Sequence, residues 1–554
     1  MNYFYRLWGA LRRTLTTRGA FAPRPVRGNV AVTALRAGVC VALPLLALHA
    51  AGRIDLAPYA AMGCFTALYA RDDTYARRAR LLAVVGATLT LAVALGALVS
   101  AALPHPLAAI TVVALIAGGA KYLSDALEFG APAGLMFVFA AGVAAYNPQP
   151  LTALPVVVAT TAAAAALCWT LALVGALVHP TAPERLAVAR ALHALARHLR
   201  HPAPAARTGA ETALHHAWHV LLSSPGHTPT RQAQALEILT ARAETLLTGT
   251  GDRLTDARAA AEMSELARRL RTERAVEPLV GTDEHAALSR AAAHLRRHHT
   301  PPPGAGERLR AALRAPSPTP VSVVRIVLAC LLAGALAWAL GMGHGYWAAV
   351  SAGSVLQAVN VTTTWHRTLQ RGAGTVVGVA LAAALFSLDY SPLGVIALVV
   401  ACQMAAELVV TTNYSYAIVF VTPLTLALSG LADADPGADG LAAERLWATV
   451  LGAAVGLLVC AAVANRRAGD HLRQALAACE HELARARECA GADPAARRRL
   501  ARSLVALRAS HALAAGEPWL GGAWAREVQD VERRARALLD GAALPGRAVG
   551  ALPE

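Results

Sequence analysis

The sequence predicts an all-α polytopic membrane protein: two repeated six-helix transmembrane bundles with cytoplasmic helical domains. Three observations support this. Hydrophobic residues make up 56% of the 554-residue chain and charged residues only 16%, with a mean hydropathy of +0.44, whereas soluble proteins carry about a quarter of their residues as charges. Leu81 to Leu103 and Leu154 to Val178 hold no charged residue and are long enough for a hydrocarbon core of roughly 30 Å, which takes about 20 helical residues. The pattern of apolar runs between Arg36 and Val178 then recurs between Arg325 and Val463.

The recurrence runs with shifts of a few residues. Arg36-Ala-Gly-Val-Cys40 opens the first apolar block and Arg325-Ile-Val-Leu-Ala-Cys330 the second. Pro58-Tyr59 matches Tyr346-Trp347, and Arg77-Arg78 matches His366-Arg367. Leu107-Ala-Ala-Ile110 matches Leu393-Gly-Val-Ile396, which sets Lys121 opposite Glu407. Identities are few, but a shared order of apolar runs, basic loops and proline breaks marks an internal repeat.

Five regions follow: an amphipathic arm over 1–30, a first bundle over 31–179, a helical domain over 180–320, a second bundle over 321–464 and a helical tail over 465–554. In the arm, Phe4, Leu7, Trp8, Leu11 and Leu15 recur at helical spacing beside Arg6, Arg12, Arg13 and Arg18, the pattern of a helix lying on a membrane surface. It lacks the uninterrupted apolar core of a cleavable signal peptide. The first bundle reads as segments at about 31–50, 56–70, 81–103, 107–123, 132–146 and 152–178. The second reads as 321–341, 345–360, 373–388, 393–411, 415–430 and 442–464. The second and fifth segments of each half are short for a full crossing. Prolines at 301–303, 316, 318 and 320 close the central domain. The two helical domains are expected on one side, packed on each other, with the residues after Pro545 disordered.

The net charge of +16 and pI near 10.1 would suggest nucleic acid in a soluble protein. Here the basic residues follow membrane topology. Lys121 is the only lysine, and arginines crowd the arm, Arg71 to Arg80, the central domain and the tail. Such an excess marks the cytoplasmic side. Both termini are therefore expected in the cytoplasm of a multi-pass inner-membrane protein, with an even number of crossings per half and a pseudo-two-fold axis along the membrane normal. Membrane lipids, anionic ones above all, are the expected partner of the basic surfaces; nucleic acid is not, and a homo-oligomer stays open. Eight cysteines show no paired spacing, and six lie in apolar runs, so neither a disulfide framework nor a structural metal is expected.

The most specific local pattern is Arg367-x3-Arg371-x2-Gly374-Thr375-x2-Gly378, echoed by Arg445-x3-Thr449-x2-Gly452-x3-Gly456. On a helix Arg371, Thr375 and Gly378 share a face, giving a small-residue seam beneath a basic cap. Topology-setting arginines above close-packed helices are the plainer reading; a mouth that attracts anions is the sharper one. Lys121 and Glu407 are intramembrane charges and so functional candidates. They either meet near the pseudo-two-fold axis and gate a path, or snorkel independently. Asp125 and Glu128 read as a solvated turn, and Gln357, Asn360, Gln403 and Asn413 as interhelical polar groups or substrate contacts. His215/His219 and His294/His298 stand one turn apart without cysteine or an HExxH glutamate, a weak metal signal. No phosphate-cradling loop, nucleophile elbow or paired catalytic carboxylate is found, so no cofactor and no enzymatic reaction is expected.

Tyr346-Trp347, the Gln357 region, Arg371-x2-Gly-Thr-x2-Gly378, Tyr416-Ala-Ile-Val-Phe-Val-Thr-Pro423 with its Thr422, and Arg445-x3-Thr449-x2-Gly452 resemble the fusaric acid resistance and aromatic acid exporter family of inner-membrane proteins. The layout of six segments, helical domain, six segments and tail fits the same family. At motif level the resemblance is confined to the second half. The first half keeps Arg78 and Gly86 without the threonine, and Ala358 stands where the family has proline. The resemblance implies export of aromatic or other weak organic acids with the proton gradient as a candidate driving force, and distantly similar plant malate channels point to a passive anion pathway as an alternative. The residues it marks as a pathway are Tyr346, Trp347, Gln357, Arg367, Arg371, Thr375, Gly378, Thr422, Pro423, Arg445 and Thr449, with Lys121 and Glu407 as gating candidates. A small organic anion is the expected substrate. The rival is a scaffold whose basic helical domains bind a partner or anionic lipid, for which one anchoring helix would suffice.

Overall fold

The computed structural model describes residues 15–23, 30–222, 231–248, 253–272, 282–297, 303–388, 390–432, 438–489, 493–520 and 524–541. Most of the amphipathic arm, His298, the acidic loop 433–437 and the residues after Pro545 lie outside them. Every regular element among the described residues is a helix. The first bundle comprises α1 (Val30–Ala50), α2 (Ala57–Cys64), α3 (Tyr75–Ala102), α4 (Pro106–Leu127), α5 (Leu135–Tyr146), α6 (Leu154–Leu173) and the short α7 (Gly175–Val178). The central domain holds α8 (Ala182–Arg200), α9 (Pro204–Leu222), α10 (Arg231–Thr248), α11 (Arg253–Thr272), α12 (Thr282–Arg297) and α13 (Ala305–Leu313). The second bundle holds α14 (Thr319–Ala339), α15 (Tyr346–Val355), α16 (Val361–Phe386), α17 (Pro392–Val409), α18 (Tyr414–Ala432) and α19 (Ala438–Ala462). The tail is α20 (Arg467–Glu488), α21 (Pro494–Ala515) and α22 (Ala525–Gly541).

Helix ends follow local chemistry. Proline opens α4 and α17, where its missing N–H costs nothing, behind His105 and Ser391, whose side chains accept from Leu107 N and Gly394 N. Asn360 and Thr363 form a capping box at α16, and Thr74 caps α3. Counting from these last two caps, Arg78 stands level with Thr364, so the sequence pairing of Arg77-Arg78 with His366-Arg367 is shifted by a few residues.

Eight helices among the described residues are long and apolar enough to cross a membrane: α1, α3, α4, Leu151–Val178, α14, α16, α17 and Ala443–Ala462 within α19. They come as the first, third, fourth and sixth elements of each half. The second elements α2 and α15 are short and buried along their whole length, which is why they need not span. Packing partners also correspond between halves. α3 packs on α5 and α6 as α16 packs on α18 and α19, and α2 lies on α6 as α15 lies on α19. The first helices are exchanged: α1 packs on α17, and α14 on α4.

The helices outside the bundles, α13 apart, are amphipathic and bury one stripe. Val188, Leu192, Leu195, Leu214, Leu239 and Leu266 form the core of the central domain, and Leu472, Leu476, Leu483, Leu500, Leu507 and Val531 that of the tail. The two domains join through Arg508, which bridges Glu211 at 2.5 Å and Glu532 at 2.7 Å, and through His294 to Asp493 at 2.9 Å. Arg190 ties α8 to the α2–α3 loop at Asp72, 2.6 Å away. Residues 15–23 lie on the second bundle: Thr16 O accepts from His366 Nε2 at 2.9 Å, and Asn413 Nδ2 donates to Ala20 O at 3.2 Å.

Gly452 allows α19 to meet α15, since a Cβ there would fall 2.1 Å from Ala348 O, whereas Gly372 faces open space. Gly452→Ala is therefore expected to destabilise the chain by about 1–3 kcal/mol in denaturant titration, with Gly372→Ala neutral. In the central domain, burial and then Arg498 push the His215 ring down to about 3; Arg498 also donates to His215 O at 3.2 Å. His215 is thus neutral when folded but titrates near 6.5 unfolded, so its stability is complete above about pH 6.5 and is lost as pH falls from there toward 3. Hydrogen exchange of α8–α11 is expected to show opening that grows by up to about tenfold per pH unit below about 6.5, less steeply in His215→Asn.

Candidate functional site

The buried charges of the bundles fall into two groups, those with a counter-charge and those without. Arg325 on α14 donates to both carboxylate oxygens of Glu517, at 2.7 and 2.8 Å, and to Val463 O at 2.8 Å. Lys121, 2% exposed, meets Asp125 one turn on at 2.9 Å. Glu407 pairs with Arg71 at 2.8 Å. Lys121 and Glu407 occupy matching places, but they do not meet, because α4 packs on α14 and α17 on α1. Arg78 donates to the carbonyls of Ala70, Arg71 and Ala172. Of the acidic turn, Asp125 is thus occupied, and Glu128 is exposed and 3.5 Å from Arg77.

Arg371 and Arg445 have no carboxylate within ion-pair distance among the described residues, and each is 4% exposed. Arg371 Nη1 donates to Tyr414 Oη at 3.0 Å and Nη2 to Ser351 Oγ at 3.1 Å, while its Nε is buried without a partner. The Arg445 guanidinium lies over the Trp347 ring at 4.9 Å, with Nε and Nη1 buried and unpartnered. The two arginines are near enough to repel each other. One turn before Arg371, Arg367 reaches Ser354 O at 3.4 Å and lies over the Tyr414 ring at 5.6 Å. Glu444 is the chain neighbour of Arg445 but does not neutralise it: its carboxylate accepts from His344 N at 2.6 Å and lies 2.8 Å from His344 Nδ1. His344 stacks on Trp347 with ring centroids 5.0 Å apart. Three guanidiniums thus line one side of α15, whose Trp347, Ser351 and Ser354 are each 0% exposed.

An isolated cation inside a bundle costs several kcal/mol, and removal of its counter-charge normally leaves it unstable. Hydroxyls and an aromatic face offset part of that cost; the unpartnered Nε and Nη1 atoms keep donors for an anion with at least two oxygens.

The remaining sequence candidates hold this arrangement together. Gly374 and Gly378 lie against α18, where added Cβ atoms would fall 2.6 Å from Ser415 O and 2.7 Å from Thr422 Cβ. Pro423 interrupts α18 and leaves the Val419 carbonyl without its helical donor beside Gly378. Thr422 Oγ1 donates to Ile418 O at 2.9 Å and Thr449 Oγ1 to Arg445 O at 2.8 Å; Thr375 is buried. Gln357 Oε1 accepts from Gly134 N at 3.1 Å, so it links the halves. Asn360 caps α16 and donates to Ala512 O at 3.0 Å in the tail. Tyr346 packs against Tyr146 of the first half at 5.3 Å. Sequence reasoning missed Tyr414, Ser351, Ser354, His344, Glu444 and Glu517. The serine pair at i, i+3 after Tyr346-Trp347 was the available signal.

Among the described residues the first half has no arginine at the place of Arg371. Counted from the caps Thr74 and Asn360, Val85 stands level with Arg371. Val85 is 0% exposed.

Fold and composition together define a polytopic membrane protein, all-helical among the described residues. Residues 332–459 match the family model described as fusaric acid resistance protein-like, and Arg367, Arg371, Trp347 and Arg445 all fall inside that match. The chain is also 26% identical over 459 residues, 77% of its length and 71% of the relative's, to an uncharacterized membrane protein, YvaC, of Bacillus subtilis. No solved structure matches.

Arg325 and Glu517, 3% and 0% exposed as side chains, are a buried pair that joins α14 to the tail. Glu517→Gln is expected to cost about 3–5 kcal/mol in denaturant titration, and the double replacement Arg325→Met with Glu517→Gln to recover most of that loss.

Proposed function

We propose that the protein moves small organic anions across a cytoplasmic membrane, outward from the side that carries the helical domains. The observation behind this reading is the pair Arg371 and Arg445, buried without a carboxylate and with donors unused at both Nε atoms and at Arg445 Nη1. An anchor or scaffold has no need of buried, uncompensated cations; a carrier of anions does. Arg367, one turn from Arg371, supports a stepwise handover, and the ring faces of Trp347 and Tyr414 favour flat, delocalised carboxylates over compact inorganic ions. The names attached to the matching family model support acid export as the direction, and the arginine excess of the helical domains supports their cytoplasmic location.

A proton gradient is the proposed driving force, with a passive anion channel as the alternative that the same experiment separates. Vesicles containing the purified chain are loaded with a panel of radiolabelled aromatic and aliphatic acids, and efflux is followed with and without a proton gradient. Gradient-dependent efflux is expected. Equal efflux under both conditions identifies a channel, and no movement of any acid under either condition overturns transport in favour of a scaffold. Arg445→Gln and Arg371→Gln are each expected to raise the half-saturating concentration by roughly ten- to a hundredfold, the loss of one or two charge-assisted hydrogen bonds. Arg53→Gln, at an exposed ion pair outside the site, is expected to leave it unchanged.

A further inference from the structure

At the end of α19 the chain turns through residues 463–466 into α20, so this corner stands where the membrane-spanning part ends. An open cavity of about 710 Å³ occupies it, and Ala462, Arg466, Asp470, Arg473, Trp519 and Trp524 are among its walls. Asp470 pairs with Arg473, whose guanidinium also lies over the Trp524 ring at 6.0 Å. Arg466 is exposed and has no carboxylate within ion-pair distance among the described residues. Two guanidiniums and one carboxylate leave the cavity with a single positive charge. Trp519, 37% exposed, is the kind of amphipathic ring that favours a membrane boundary.

A second observation lies below the cavity. Trp447 and Leu458 are 63% and 67% exposed; three helical turns separate them, and Ala462 follows one turn later. They make an apolar stripe on the outer face of α19 that runs up to the cavity rim. A cationic pocket alone would suit any phosphate. One continuous with a lipid-facing stripe suits a phosphate that carries acyl chains.

We propose that this corner binds the phosphodiester headgroup of an anionic phospholipid in the leaflet nearest the helical domains, with Arg466 taking the phosphate and the chains starting along Leu458. The single negative charge of the phosphodiester matches the net charge of the cavity. Arg473 is held by Asp470 and Trp524 and forms the wall; Arg466 is the free donor.

Native mass spectrometry of the purified full-length chain tests this with phosphatidylglycerol or phosphatidylcholine added in detergent. Preferential retention of phosphatidylglycerol is expected, reduced about fivefold by Arg466→Gln, the effect of one arginine near an anionic headgroup, and unchanged by Arg53→Gln. Equal retention of both lipids, or equal losses in the two variants, overturns the site. Excess inorganic phosphate is expected not to displace the lipid, whereas displacement would reassign the cavity to a soluble phosphate. In vesicles, phosphatidylglycerol with brominated chains is expected to quench tryptophan emission more than its phosphatidylcholine counterpart, and Trp519→Phe to reduce that difference. Equal quenching by the two lipids counts against the proposal.

Discussion

α1 lies against α17 and α14 against α4, and glycine makes both crossings close. A Cβ at Gly38 would fall 2.6 Å from Met404 Cγ, one at Gly118 2.5 Å from Val327 Cγ2, and one at Gly334 2.9 Å from Ile110 Cγ2. In a membrane, helices gain little from hiding apolar surface, because lipid is as apolar as leucine; close approach and dispersion must hold them together instead. Each half therefore depends on the other for the neighbour of its first helix. The inner helices α2 and α15 can be short and wholly buried because α6 and α1 cover the one and α19 and α14 the other.

Within that frame the charges are sorted by what they meet. Lys121, Glu407, Arg78 and Arg325 are neutralised or caged by carbonyls, which is what low dielectric surroundings demand of a structural charge. Arg371 and Arg445 are held by hydroxyls and a ring face instead. Their unused donors point to a reason other than folding. The asymmetry between halves is equally informative, since Val85 fills the place that Arg371 takes. The shared architecture does not oblige the two halves to carry the same buried charges.

Much of the architecture was legible in the sequence because hydropathy and proline placement act locally. Pro106 and Pro392 open matching helices, and Leu81 to Leu103 admits no other reading than a span. The seam at Gly374 and Gly378 followed from helical spacing, and so did the basic cap at Arg367 and Arg371. The pairing of Lys121 with Glu407 did not follow, because register within a repeat says nothing about which helices exchange between halves. Tyr414, Ser351 and Glu444 escaped notice for a related reason: their roles depend on three separate helices converging on α15. Glu517 lies 192 residues beyond Arg325, past the last membrane segment, and no local pattern links the two.

That separation in sequence has a consequence for how the protein is made. Arg325 enters the membrane while Glu517 is still unsynthesised, and at about 5–20 residues per second the wait is roughly 10 to 40 s. During that interval α14 carries an arginine whose eventual counter-ion has not left the ribosome. α1 likewise waits for α17 through most of synthesis. Insertion of the early helices must therefore be provisional, with Arg325 drawn toward the interface or shielded by lipid phosphate. Only the emergence of Glu517 supplies that counter-ion, and a chain cut short before it would be marked by one stranded guanidinium.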